Sequence, residues 1–162
     1  MTVPAGEISL VLRLIDEAYD HKAWHGTNLR GAIRGVGMGE AAWRPSRARH
    51  NIWEIVVHCA YWKYAVRRRL TGEKRGSFPL EGSNWFERPA GRAGQAQRWK
   101  ADVALLASEH RRLKDAIASL TPTELRKSIG KTPMASLVLG IAAHDLYHAG
   151  QIQLLKRLQK HG

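Results

Sequence analysis

The chain has 162 residues, 44% of them hydrophobic and 25% charged, with 26 basic residues against 14 acidic ones for a net charge of +12. That is the composition of a globular chain about one domain long, and it excludes wholesale disorder. No apolar run approaches the ~18 residues of a membrane span, and Met1 to Gly6 lacks the basic start and apolar stretch of a signal peptide. The lone cysteine, Cys59, excludes an intrachain disulfide, so one cytoplasmic domain over residues 1–162 is expected.

Four stretches carry helical periodicity, and none shows strand alternation. After Pro4-Ala5-Gly6, the residues Ile8, Val11, Leu12, Ile15 and Tyr19 recur at three- and four-residue steps and predict a first helix that dissolves at Gly31, Gly35, Gly37 and Gly39. The second opens at Asn51, a good N-cap with Glu54 placed to close a capping box, and carries Ile52, Ile55, Val56, Cys59, Trp62 and Val66 to a stop at Gly72. The third runs from about Gln95 to Leu120 on Val103, Leu106, His110, Leu113 and Ile117. Thr121-Pro122-Thr123-Glu124 then predicts a short extra turn. The fourth begins with Thr132 as cap and Pro133 as first helical residue, and its stripe is Leu137, Ile141, His144, His148, Ile152 and Leu155. Between the second and third helices lies Gly72 to Gly94, with five glycines, Pro79, Pro89 and the pair Trp85-Phe86. So long a connection needs a reason: a crossover of the bundle is one and a lid over a site is another, and Trp85 and Phe86 are expected to pin it to the body in either case. The expected fold is all-α, a four-helix bundle with a long crossover between helices two and three.

Basic residues occur in every segment, most densely at Lys63, Arg67, Arg68, Arg69, Lys74 and Arg75. No nucleic-acid module motif accompanies them, so binding to nucleic acid is expected to be weak and non-specific.

Eight histidines are present, and two pairs, His21/His25 and His144/His148, have the i, i+4 spacing that places both rings on one helix face. Two imidazoles so placed can share a metal ion at about 2 Å. His144 and His148 stand in the apolar stripe of the fourth helix, where an imidazole without a partner is costly. His21 and His25 lie at the polar shoulder of the first. His58, a turn from Ile55 and Trp62, also faces inward and is the best third ligand; three imidazoles would leave open positions, as catalytic sites do. The plainer alternative is three unrelated core histidines. His110 reads as a packed histidine with one hydrogen bond rather than a ligand. Asp145 points about 100° away from His144 and is expected to bond a neighbouring helix or water. Cys59 reads as a small buried residue. Gln151, one turn beyond His148, is either a partner of a ligand histidine or a core glutamine tying the fourth helix to the first. Trp62 and Tyr147 flank the histidines and read as core.

The segment His144-Asp145-Leu146-Tyr147-His148-Ala149-Gly150-Gln151-Ile152 resembles the C-terminal signature of the DinB-like family of bacterial four-helix-bundle proteins. Trp43-Arg44-Pro45 followed by Ile52-Trp53-Glu54-Ile55-Val56-Val57-His58 is similar to that family's second helix and its first metal histidine. Trp24-His25-Gly26 and Ser83-Asn84-Trp85-Phe86 look like one of its branches, which adds His25 to Gln151, Trp62 and Tyr147 as pocket candidates. The resemblance implies a divalent metal, zinc or nickel, on His58, His144 and His148, and often a homodimer. It also implies thiol-dependent transferase or isomerase activity with a low-molecular-weight thiol, or hydrolysis. No catalytic side chain is assigned; water or thiolate on the metal would do the chemistry. Lys63 and Arg67, beyond His58, are offered as holders of a thiol's carboxylates. A non-catalytic, metal-stabilised scaffold meeting an acidic partner through the basic surface is the alternative.

Overall fold

The computed structural model describes residues 6–88 and 94–161, with the side chain of His161 outside the description. Pro4, Ala5 and Pro89 of the reading above lie outside the described residues. The chain is all-α. Its long helices are α1 (Gly6–Tyr19), α4 (Ile52–Thr71), α5 (Gln95–Ala118) and α7 (Met134–His161); α2 (Leu29–Ile33), α3 (Met38–Ala42) and α6 (Pro122–Leu125) are short. α4 packs on α5 and α7, and α1 on α7 and α5, so each long helix has two long neighbours and faces the third across the core. No helix among the described residues is long and apolar enough to cross a membrane.

The helix ends follow the chemistry of their caps. At the start of α4 the Asn51 side chain accepts from the Glu54 N–H while the Glu54 carboxylate accepts from the Asn51 N–H. Gly72 ends the helix in the left-handed region at φ 72°. Thr121 and Glu124 make the same reciprocal pair around the single turn of α6. Two boundaries differ from the sequence reading. α1 stops at Tyr19, and the segment that was expected to dissolve at its glycines instead holds two further helices; Asn28 caps the first of them by accepting from the Gly31 N–H. Thr132 and Pro133 do not open the last helix. They pair with Ser128 and Ile129 in a minimal antiparallel ladder, β1 (Ser128–Ile129) with β2 (Thr132–Pro133), turned by Gly130 at φ 61°. The Met134 N–H then donates to the Lys127 carbonyl, and α7 starts only there.

Apolar burial falls into two clusters at different heights. One gathers Leu29, Ile52, Trp53, Val56, Trp99, Leu106, Ile152 and the crossover residue Phe86. The other gathers Ile8, Ile15, Val66, Leu70, Leu113, Ile117, Val138 and Ile141. Along α4 the gap between them falls at Lys63, along α5 at Glu109 and His110, and along α7 at Asp145 and His148, all buried. Polar groups in that position must be paired with one another or with a ligand, because water does not reach them. The crossover is pinned as expected: Phe86 is buried and Trp85 half-buried against the first cluster.

Candidate metal centre

His58 projects from the middle of α4, and His144 and His148 project from one face of α7, one turn apart. The three rings converge. His58 Nε2 stands 3.0 Å from His144 Nε2, and His148 Nε2 stands 3.1 Å from the same atom. All three can offer a nitrogen within 4.8 Å of the others.

The opposite ring nitrogens fix what the converging atoms carry. His58 Nδ1 lies 2.8 Å from the carbonyl oxygen of Asn84. A carbonyl only accepts, so Nδ1 bears the proton and Nε2 is a bare lone pair. His148 Nδ1 likewise donates to Gln151 Oε1 at 2.7 Å, while Gln151 Nε2 donates to the Tyr147 hydroxyl at 3.0 Å. His144 Nδ1 is buried and has no hydrogen-bond partner. If His144 Nε2 carries a proton it can serve one of the two facing lone pairs, and the other is left unmet; if it does not, three lone pairs face each other. A cation satisfies all three at once. Adjacent ligands at ~2.1 Å from one ion stand roughly 3.0–3.4 Å apart, and the separations of His144 from His58 and from His148 lie within that range. The donor set fits a divalent metal.

Electrostatics keeps these donors available. Burial pushes His58 down to about 4, with the Asn84 carbonyl opposing. Burial and then the neighbouring His148 push His144 down to about 3. Burial also lowers His148, against the opposing bond to Gln151. The rings are therefore neutral at pH 7, the state in which imidazole ligates.

The crossover holds His58 in place. The Trp85 ring stacks on His58 at 3.8 Å and on His50 at 3.6 Å, with interplanar angles of 10° and 3°, so the indole lies between two imidazoles. Asn84 has φ 66°, the left-handed region that Asn tolerates better than most residues, and its Oδ1 accepts from Trp62 Nε1 at 2.9 Å. His50 in turn bonds Glu54, which also takes Arg44 at 2.7 Å. Asn84 and His50 were missed by spacing arguments because both act across a loop. The Ser83–Phe86 patch in the sequence was the available signal.

The other sequence candidates fall as follows. Gln151 bonds a ligand-type histidine and does not tie α7 to α1. Trp62 is not core: it is 37% exposed and its ring lies edge-on to His144. Tyr147, also read as core, is 65% exposed and reaches the cluster only through Gln151. His25 is not a pocket residue, because α1 ends at Tyr19 and the loop leaves His25 exposed. His21 bonds Asp20 at the surface. His110 stays apart, stacked on Tyr19 at 3.7 Å; the single hydrogen bond expected of it is absent, since both ring nitrogens lack a partner.

Lys63 and Arg67 are not free to hold a substrate. Lys63 is fully buried on Asp145, which thus bonds a neighbouring helix as its direction suggested. Arg67 is buried between Glu109 and Glu73. A second set, Cys59, His144 and Asp145, also lies within 4.8 Å. It suits a cation poorly, because the Lys63 ammonium already occupies the carboxylate and burial raises the Cys59 thiol well above its usual range.

Among known proteins, a family model described as the DinB superfamily matches residues 22–152. No curated protein and no solved structure matches the chain.

Proposed function

Because the chain belongs to the DinB superfamily, we propose that His58, His144 and His148 bind one divalent metal ion, zinc or nickel, and that the protein is a metal-dependent enzyme acting on a small molecule. The observation that carries the reading is the convergence of three Nε2 atoms, two of them bared by the hydrogen bonds their Nδ1 atoms make. Bound there, a divalent ion acts as a Lewis acid and lowers the pKa of a thiol or of water. The chain's own residues do the rest. Asn84 and Gln151 orient two rings, Trp85 covers one side of His58, and Trp62 and His144 border the open side.

Between thiol transfer and hydrolysis, the placement of carboxylates favours the first. A hydrolase of this kind needs a base beside the attacking water. Asp145 is held by Lys63, and Glu54 by Arg44, His50 and the Asn51 backbone. A low-molecular-weight thiol brings its own nucleophile and needs no such base. The test is elemental analysis of protein purified without a histidine tag, followed by a screen of thiols against electrophiles. About one metal per chain and turnover that needs both metal and thiol are expected. Metal-free protein after expression with added zinc and nickel would end the reading, and turnover without thiol would move it to hydrolysis.

A further inference from the structure

A groove opens directly on the histidine cluster. It is the space between antiparallel α4 and α7, about 170 Å³, and His144 lines one end. Its walls are Trp62, Ala65, Val66, Leu137 and Ile141, and the cation in the lining is Arg69. Of the three histidines only His144 borders this space, so a molecule in the groove meets the cluster at its open side.

Arg69 differs from its neighbours. Arg67 is buried between two carboxylates, and Arg68 donates to the Glu73 carbonyl. Arg69 is half-buried, and among the described residues no ion pair or hydrogen bond holds its guanidinium. Its position is set by the helix. Seven residues separate it from Trp62, ~10 Å along the axis, and long helical side chains lean back toward the N-terminus. Arg69 therefore lines the groove toward the end away from Trp62 and His144. A volume of about 170 Å³ has room for a benzene-sized body, and a guanidinium at the groove's far end matches a carboxylate by shape and charge.

We infer that this groove is the substrate pocket and that it takes a small molecule with an apolar body and one anionic group, the anion held by Arg69 and the reactive end turned to His144. The inference rests on the proposed metal site for the identity of the reactive end, but not for the anion. It also reassigns the anion-holding role that the sequence placed on Lys63 and Arg67: those cations are spent on internal carboxylates, whereas Arg69 lines the groove without such a partner among the described residues.

Two probes separate the parts. 6-Mercaptohexanoate and 6-mercaptohexan-1-ol share a thiol and a chain and differ in the remote group. Their binding is read by the NMR signal of the Trp62 indole N–H, in zinc-loaded and in metal-free protein. The acid should bind at least about tenfold tighter than the alcohol, a difference in the range of a charge-assisted hydrogen bond. That preference should vanish in Arg69→Met and shrink with added salt, while zinc content and thermal midpoint of the variant stay at wild-type values. Equal affinity of acid and alcohol for the wild type overturns the inference, as does a preference that survives Arg69→Met, even if zinc binds well. Should zinc fail to bind or fail to tighten either thiol, the metal reading falls. The acid preference of metal-free protein, lost in Arg69→Met, would then still uphold the anion site, and its absence would overturn it.

Discussion

His144 and His148 stand four residues apart, and so do His21 and His25, yet the two pairs end in opposite surroundings. The first sits within a 28-residue helix, on a face that meets α4, and both rings point at a third. The second begins two residues after α1 has ended; one ring bonds Asp20 at the surface and the other is exposed. The i, i+4 rule applies only where the helix continues. What sets the converging pair apart is an unbroken helix, an inward face and, at His148, an acceptor on the far nitrogen that bares the near one.

The sharpest way to break this comparison is His148→Ala. It removes one of three donors and should lower metal content from stoichiometric to near background, measured by mass spectrometry on untagged protein. The fold should persist, because two apolar clusters above and below the site supply most of the burial. Full metal retention would mean that the ion, if any, lies elsewhere.

Next in size is the layer behind the site. There the charges are already matched, so the expected effect is on stability and not on metal. Lys63→Ala leaves Asp145 buried and unpaired, at a cost of about 3–5 kcal/mol in urea unfolding. Lys63→Met with Asp145→Leu removes both charges and should recover most of that loss. If the single variant is as stable as the wild type, the pair is not closed in solution.

His110 belongs to the same layer and gives it a pH dependence. Burial, with Lys63 as the next cause, pushes its pKa down to about 2. The unfolded chain therefore takes up this proton near pH 6.5 while the folded chain does not, and stability falls as pH drops below that value. For metal-free protein the contribution between pH 7 and pH 5 is about 2 kcal/mol. His110→Phe keeps a ring on Tyr19 and should flatten the acid limb by about that amount, read from urea midpoints at the two pH values. An unchanged limb would place the acid sensitivity wholly in the three converging histidines.

Much of this was legible in the chain. The capping pair Asn51/Glu54, the stripes of α4, α5 and α7, and the inward faces of His58, His144 and His148 are local facts of period and cap, which sequence carries directly. Three things were not local. The end of α1 depends on Asn28 capping a new helix seven residues after His21, to whose carbonyl it also donates. The roles of Asn84 and Trp85 depend on where a long connection folds back. The division of labour among Lys63, Arg67 and Arg69 depends on which carboxylates the other helices present. Asp145 and Glu109 come from α7 and α5, and a charge pattern along α4 alone cannot show them.

Gln151 tests the far-nitrogen half of the comparison. It accepts from His148 Nδ1, fixing the tautomer that bares Nε2. Gln151→Ala should weaken metal affinity by roughly 10–100-fold, the usual effect of losing such a partner, while leaving all three ligands present. A competition titration against a chromophoric chelator reads this directly. An unaltered affinity would show that packing alone orients the ring.

The smallest expected effect is the other half of the comparison. His21→Ala and His25→Ala, singly or together, should leave metal content and affinity at wild-type values. Neither ring approaches the cluster, and the loop between α1 and α2 places them at the surface. Stability should also change little. His21 loses an exposed contact to Asp20, a pair of a kind that contributes within about 1 kcal/mol, and His25 is exposed. The double variant carries more weight than either single one, because it removes every imidazole in the i, i+4 register except the pair on α7. If its metal content fell with His58, His144 and His148 intact, the helix-continuity argument that separates the two pairs would fail. A site assembled on this loop would then be needed to explain the ion.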